Sequence, residues 1–206
     1  MQAESGSSRP IEFWFDFSSA YAYFAAQEID DLGERVIRPV LWRPYMLGTA
    51  YKITGMRGLS STPMKSDYAR RDWARIARAH KVDFKLPSHH PSIALPATRV
   101  FYWIERQNQE KAVSFAKKIF NAYYVDGIDT ANLDQVATVA ERAGFDRAAV
   151  IAGANNADIK AYTKAVAESA ITRGVFGSPF FIVDDEPFWG ADRMEMMERW
   201  ILDGGW

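Results

Sequence analysis

Over 206 residues, 25 Lys and Arg stand against 26 Asp and Glu for a formal net charge of −1, so no overall field draws the chain to nucleic acid or an anionic membrane. A 48% hydrophobic and 14% aromatic content is ample for a packed core and excludes a disordered chain. There is no cysteine, which rules out structural disulfides, thiolate metal sites and any redox chemistry of the chain's own.

Residues 1–10 read as a flexible polar tail without the apolar core of a signal peptide. No apolar run is long enough to span a bilayer, and the expected location is the cytoplasm. Ile11 to Asp16 is nearly continuous in apolar residues, as central strands are. The helix expected next repeats apolar groups at Tyr21, Phe24, Ala25, Ile29 and Leu32 and stops at Gly33. A second strand follows over 35–42, where Pro39 predicts an edge or a bulge. Strand, helix and strand over this length form a βαβ unit with a right-handed crossover.

From 64 to 173 the period is helical, with helices expected over 68–80, 97–107, 110–124, 133–143 and 158–171. Turn signals stand at 87–91, 126–129, 143–146 and 153–156. Strands return over 180–183 and 187–189, joined by Asp184-Asp185-Glu186, and a last helix covers 192–202, with Met194, Met196 and Met197 expected to face the core. This order predicts an α/β, thioredoxin-like fold with a large all-helical insertion. Residues 11–63 and 174–206 would build the thioredoxin-like domain and 64–173 the insertion.

Two places carry candidate chemistry. Ser19 opens a helix, where its hydroxyl serves either as an ordinary cap worth ~1 kcal/mol or as a donor to an incoming thiolate. A free thiol ionises near ~8.5, and lowering that by about two units takes roughly 2.7 kcal/mol. One hydrogen bond to a charged acceptor supplies ~1.5–3 kcal/mol, so a single hydroxyl is sufficient in magnitude. Ser178-Pro179 reads as a tight turn before a strand or, if the bond is cis, as a place where the Ser178 N–H and C=O could pair with an extended peptide. His89-His90 lacks neighbours at ligand spacing and suits a polar pocket rim better than a metal. No nucleophile elbow of a serine hydrolase is present. Tyr102 and Trp103 could wall an aromatic substrate or simply fill the core.

Read together, Phe15-Asp16-Phe17-Ser18-Ser19-Ala20-Tyr21, Arg43-Pro44, Lys65 with Tyr68, Gly174-Val175-Phe176-Gly177-Ser178-Pro179 and Trp189-Gly190-Ala191-Asp192-Arg193-Met194 cover nearly the whole chain. In this order they resemble the kappa-class glutathione transferases and the bacterial 2-hydroxychromene-2-carboxylate isomerases, relatives of the disulfide oxidoreductases with serine in place of the active cysteine. The resemblance implies glutathione as a nucleophilic cofactor, activated at Ser19 and held by Lys65, Ser178, Pro179, Gly190, Ala191, Asp192 and Arg193. In such a clasp Asp192 meets the ligand's ammonium and Arg193 its carboxylate. Lys52 and His90 are the candidate contacts to an anionic aromatic substrate and no metal is expected, while the resemblance further implies a homodimer. The implied reaction interconverts 2-hydroxychromene-2-carboxylate and trans-o-hydroxybenzylidenepyruvate. Kappa-type transfer to other electrophiles, or glutathione binding without catalysis, are the alternatives. One departure is Met56, where the family often has Asn, and a methionine cannot replace that amide's hydrogen bonds.

Overall fold

The computed structural model describes residues 9–206, so most of the expected tail lies outside the described residues. A single sheet is built from β1 (Ile11–Phe15), β2 (Val40–Pro44), β3 (Phe180–Val183) and β4 (Glu186–Trp189), in the order β2-β1-β3-β4. β1 pairs parallel with β2 and antiparallel with β3, and β3 and β4 form an antiparallel hairpin. The two most apolar strands, β1 and β3, are therefore central. Phe13 stacks on Phe15 and Phe181 at ring separations of 4.7 and 5.4 Å, while Trp42 meets it edge-on at 5.0 Å. Pro39 stands just ahead of β2, which is an edge strand, as its proline requires.

The expected first helix is two. α1 (Ala20–Ala25) ends where the Gln27 and Glu28 amides turn to the carbonyls three residues back, and α2 (Ile29–Arg35) follows with Ile29 and Leu32 buried. Gly33 does not stop a helix but lies inside α2. A Cβ there would sit 2.6 Å from Val40 Cγ2 and 2.8 Å from the Arg38 carbonyl oxygen, so the glycine serves the close approach of helix to strand.

After β2 comes α3 (Leu47–Thr54), which periodicity did not predict. Its residues include Gly48, Thr49, Ile53 and Thr54, poor helix formers, and its first amide is met from far away in sequence. The Leu47 N–H donates to Asp16 Oδ2 at 2.9 Å, across 31 residues. Asp16 Oδ1 accepts the Ser18 N–H at 2.9 Å. Burial pushes the Asp16 carboxyl up from 3.8 to about 6, against the pull of those two amides.

Between β2 and β3 run α4 (Lys65–His80), α5 (Leu95–Glu105), α6 (Gln109–Asn121), α7 (Leu133–Arg142), α8 (Arg147–Asn155) and α9 (Ala157–Thr172), and α10 (Met194–Asp203) closes the chain. α8 is the second unpredicted helix. Gly153, read as a turn signal, is interior to it because a Cβ would overlap the Trp103 indole at 2.4 Å. Asn156 instead caps α9, accepting from the Asp158 and Ile159 amides. Tyr102 is fully buried, with its hydroxyl on the Pro44 carbonyl at 2.6 Å, and so belongs to the core rather than to a substrate wall. Met194 and Met197 are buried as expected, but Met196 is 40% exposed. Among the described residues no helix is long and apolar enough to cross a membrane.

Two stability measurements check this packing. Gly→Ala at an open helix position gains up to ~1 kcal/mol of propensity, whereas Gly33→Ala should lose about 1–3 kcal/mol by overpacking. A raised denaturation midpoint would contradict the close approach. For Asp16, the folded state holds the proton more tightly than the unfolded chain, so its contribution is full below about pH 4 and is lost as pH rises through about 6. The stability difference between wild type and Asp16→Asn should therefore fall by up to about 3 kcal/mol between about pH 4 and pH 7. A pH-independent difference would show that the carboxyl is not desolvated.

Candidate active site

Three segments meet at one point: the turn from β1 into α1, the loop before β3, and the turn after β4. Ser19 is the N-cap of α1, with its Oγ accepting the Ala22 N–H at 3.3 Å and donating to the Ser178 carbonyl oxygen at 2.7 Å. The Asp16 N–H in turn donates to Ser178 Oγ at 2.8 Å. The Ser178-Pro179 peptide is cis, and the Pro179 carbonyl accepts the Gly190 N–H at 3.1 Å. Ser19, Ser178, Pro179 and Gly190 are thereby drawn into one hydrogen-bonded cluster.

The cluster is richer in donors than in acceptors. The Ala20, Tyr21 and Ser178 amides have no hydrogen-bond partner among the described residues. The Ser178 carbonyl, expected to be open for a peptide, is instead occupied by the Ser19 hydroxyl. α1 is only six residues long, so the amides themselves, rather than a long helix's dipole, are what the site offers an anion.

Gly177 and Gly190 mark tight backbone. A Cβ on Gly177 would lie 2.1 Å from Trp189 Nε1, and Gly190 has φ of 109°. Ala191, Asp192 and Arg193 form a short 3-10 turn that packs beside α1. Asp192 does not cap the last helix, whose N-cap is Arg193. It pairs with Arg193, Oδ2 to Nη1 at 2.8 Å, and both side chains are largely exposed.

Lys65 and Lys52 are less closely drawn in. Lys65 is the first residue of α4, and α4 packs on α1 through the Tyr21 hydroxyl donating to Asp72 at 2.8 Å. Lys52 lies in the last turn of α3. Both lysines are exposed and have no ion-pair partner among the described residues. Met56 follows α3 and is 39% exposed.

The helical segment reaches the same turn through a loop. The Ser18 hydroxyl donates to the Ser92 carbonyl, and the Ser92 amide donates to the Tyr123 hydroxyl at 3.2 Å. His90 Nδ1 lies 2.9 Å from that hydroxyl, so His90 is brought to the neighbourhood of Ser19. Burial pushes the Tyr123 phenol up to about 12 and the His90 imidazole down to about 4. His89, by contrast, is turned to the Ile128 carbonyl at 3.2 Å and lies 4.0 Å from Asp129.

Tyr123 is the residue that sequence reasoning missed. α6 was expected to continue through it as ordinary helix, but 122–126 form a π turn that buries Tyr123 and Tyr124 side by side. A π turn leaves little trace in the period of a sequence. Among the described residues no group of His, Asp and Glu is placed to hold a metal ion. Surface depressions beside Gly33 and Val40, and between Trp14 and Tyr162, lie apart from Ser19.

A protein named 2-hydroxychromene-2-carboxylate isomerase from Sphingobium xenophagum is 26% identical over 198 residues, which is 95% of this chain and all of that one. Glutathione S-transferase kappa 2 of Caenorhabditis elegans is 21% identical, over 94% of this chain and 92% of its own. A solved 2-hydroxychromene-2-carboxylate isomerase superposes with a TM-score of 0.84 at 25% identity, over 94% of each chain. The model of the DSBA-like thioredoxin domain matches residues 10–201. With β1, the Ser19 turn, the helical segment and the Pro179 hairpin all inside that match, the chain belongs to the DSBA-like thioredoxin domain family.

Proposed function

We propose that the protein is a glutathione-dependent isomerase that interconverts 2-hydroxychromene-2-carboxylate and trans-o-hydroxybenzylidenepyruvate. The observation that carries this reading is the position of Ser19 Oγ, 2.7 Å from the carbonyl of Ser178 and flanked by unpartnered amides. The site fits glutathione because each end of a short, charged peptide meets a complementary group. The open Ser178 amide suits an extended backbone, Asp192 and Arg193 suit an ammonium and a carboxylate, and Lys65 adds a cation. Gly190, at φ 109°, leaves the Asp192 carboxylate the space a Cβ would fill.

Bound glutathione supplies a thiolate nucleophile that adds reversibly to the substrate's conjugated side chain and frees a double bond to rotate. The protein's part is to hold that sulfur ionised. Ser19 now gives its proton to the Ser178 carbonyl. A peptide N–H docking on that carbonyl would release the Ser19 proton to face the sulfur, while Ala22 N–H keeps the oxygen in place. A charge-assisted hydrogen bond of this kind is worth ~1.5–3 kcal/mol, enough to lower a thiol by one to two units. Lys52 and His90 serve the substrate end, where a carboxylate must be met.

A second reading is kappa-type transfer, in which glutathione is consumed. Exposed Met56 favours it, since the side chain in that loop offers no amide to a ligand.

Ultraviolet titration of bound glutathione tests the reading. Wild type should show thiolate absorbance at neutral pH, Ser19→Ala should return the thiol to near ~8.5, and isomerase turnover should fall about a hundredfold. An unshifted thiol in both proteins would overturn the role of Ser19. Glutathione consumed in proportion to product would select the transferase reading.

A further inference from the structure

His90 has two unpartnered buried donors and one cation in its surroundings and no carboxylate partner. Trp73 packs edge-on to the imidazole at 5.6 Å and Tyr124 tilts against it at 6.3 Å. Trp73 Nε1–H and the Tyr124 hydroxyl are buried and have no hydrogen-bond partner among the described residues. The Trp73 N–H approaches the Tyr21 hydroxyl without reaching hydrogen-bond geometry. Orphaned buried donors are uncommon, and neither of these two offers His90 an acceptor.

The charged groups point the same way. Arg70 of α4 adds positive potential at the ring. The acidic groups nearby are engaged elsewhere. Asp72 takes the Tyr21 hydroxyl and Arg75, Asp129 takes the Ser92 hydroxyl and the Ala131 amide, and Asp16 takes the Ser18 and Leu47 amides. No carboxylate pairs with His90.

The tautomer follows from Tyr123. Its oxygen accepts the Ser92 N–H and neighbours the Ser18 hydroxyl, whose proton goes to the Ser92 carbonyl; the Tyr123 proton is assigned to His90 Nδ1, which stands at 2.9 Å in hydrogen-bond geometry. The ring proton then resides on Nε2. That nitrogen has no partner among the described residues and is not among the buried orphan atoms, so it is open to a ligand.

We infer that His90 presents its Nε2–H as a neutral donor to an oxygen of an anionic aromatic substrate, and that Tyr123 is the positioning residue that fixes its tautomer. Buried Trp73 and Tyr124 back the His90 ring, and its loop borders the Ser19 turn through the contact of Ser18 with Ser92. This rests on the function proposed above and specifies its substrate end. It also separates His90 from proton transfer: the ring orients an oxyanion and does not exchange a proton with it.

Nitrogen-15 NMR of the imidazole, together with binding of trans-o-hydroxybenzylidenepyruvate in the presence of S-methylglutathione, tests the inference without requiring turnover. Wild type should show the Nε2–H tautomer, unprotonated from about pH 5.5 to pH 8. Tyr123→Phe should mix the tautomers, a change that mere loss of packing would not produce. His90→Ala should weaken binding of the pyruvate about tenfold and His90→Gln, which carries an N–H of similar reach, should recover most of it. The thiolate absorbance of bound glutathione should be untouched in all three variants. An Nδ1–H tautomer, a protonated ring at neutral pH, or unchanged binding in His90→Ala would overturn the inference. Failure of the thiolate to form in wild type would instead count against the proposed reaction and leave the tautomer and binding results standing.

Discussion

Ser178 is the hinge pin of the site. Its Oγ accepts the Asp16 amide and its carbonyl accepts the Ser19 hydroxyl, so two bonds from one residue fasten the loop before β3 to the turn after β1. These segments are about 160 residues apart in sequence, with |i−j| of 162 and 159 for the two bonds, and all six helices from α4 to α9 lie between them. Closing so long a loop is entropically costly, and the pairing of β1 with β3 pays for it. The site is therefore a consequence of the sheet: the strands put Ser19 and Ser178 side by side, and the hydroxyl then finds the carbonyl.

Asp16 extends the same tie to a third segment. Its carboxylate is buried with two backbone amides for partners and no cation, an arrangement that costs desolvation and recovers only part of it through hydrogen bonds. In exchange, the Ser18 amide and the start of α3 are fixed to one atom group. A neutral side chain of the same shape could accept only one of those two amides. The geometry of the Ser19 turn and of α3, which carries Lys52, thus depends on a residue that no substrate need touch.

Much of this was legible in the sequence because local signals agreed with the tertiary outcome. The apolar run of β1, the proline beside β2, the proline-led hairpin and the strong helical period of 64–173 each pointed one way, and the sheet and helices followed. What escaped was settled at a distance. α3 is capped by Asp16 from across the sheet, Gly33 and Gly153 answer to Val40 and Trp103 rather than to helix endings, and the π turn at Tyr123 follows no simple period. The candidate residues show the same division. Ser19 and Ser178 stood out by motif, whereas the partnership of His90 with Tyr123 spans 33 residues and required the fold to bring it together.

The absence of cysteine decides which chemistry this scaffold can perform. A hydroxyl at the start of α1 cannot exchange electrons with a disulfide, and its oxygen forms no stable bond to sulfur, so a thiol entering the site leaves it without having been oxidised by the protein. What remains to Ser19 is hydrogen bonding, and its effect is largest when the acceptor is charged. A site with open amides at Ala20, Tyr21 and Ser178 and no side-chain thiol accordingly offers an anion hydrogen bonds and no thiol exchange. In the proposed reaction the covalent step belongs to glutathione and the acceptor it meets, and the loop bearing His90 borders the Ser19 turn through the Ser18–Ser92 contact.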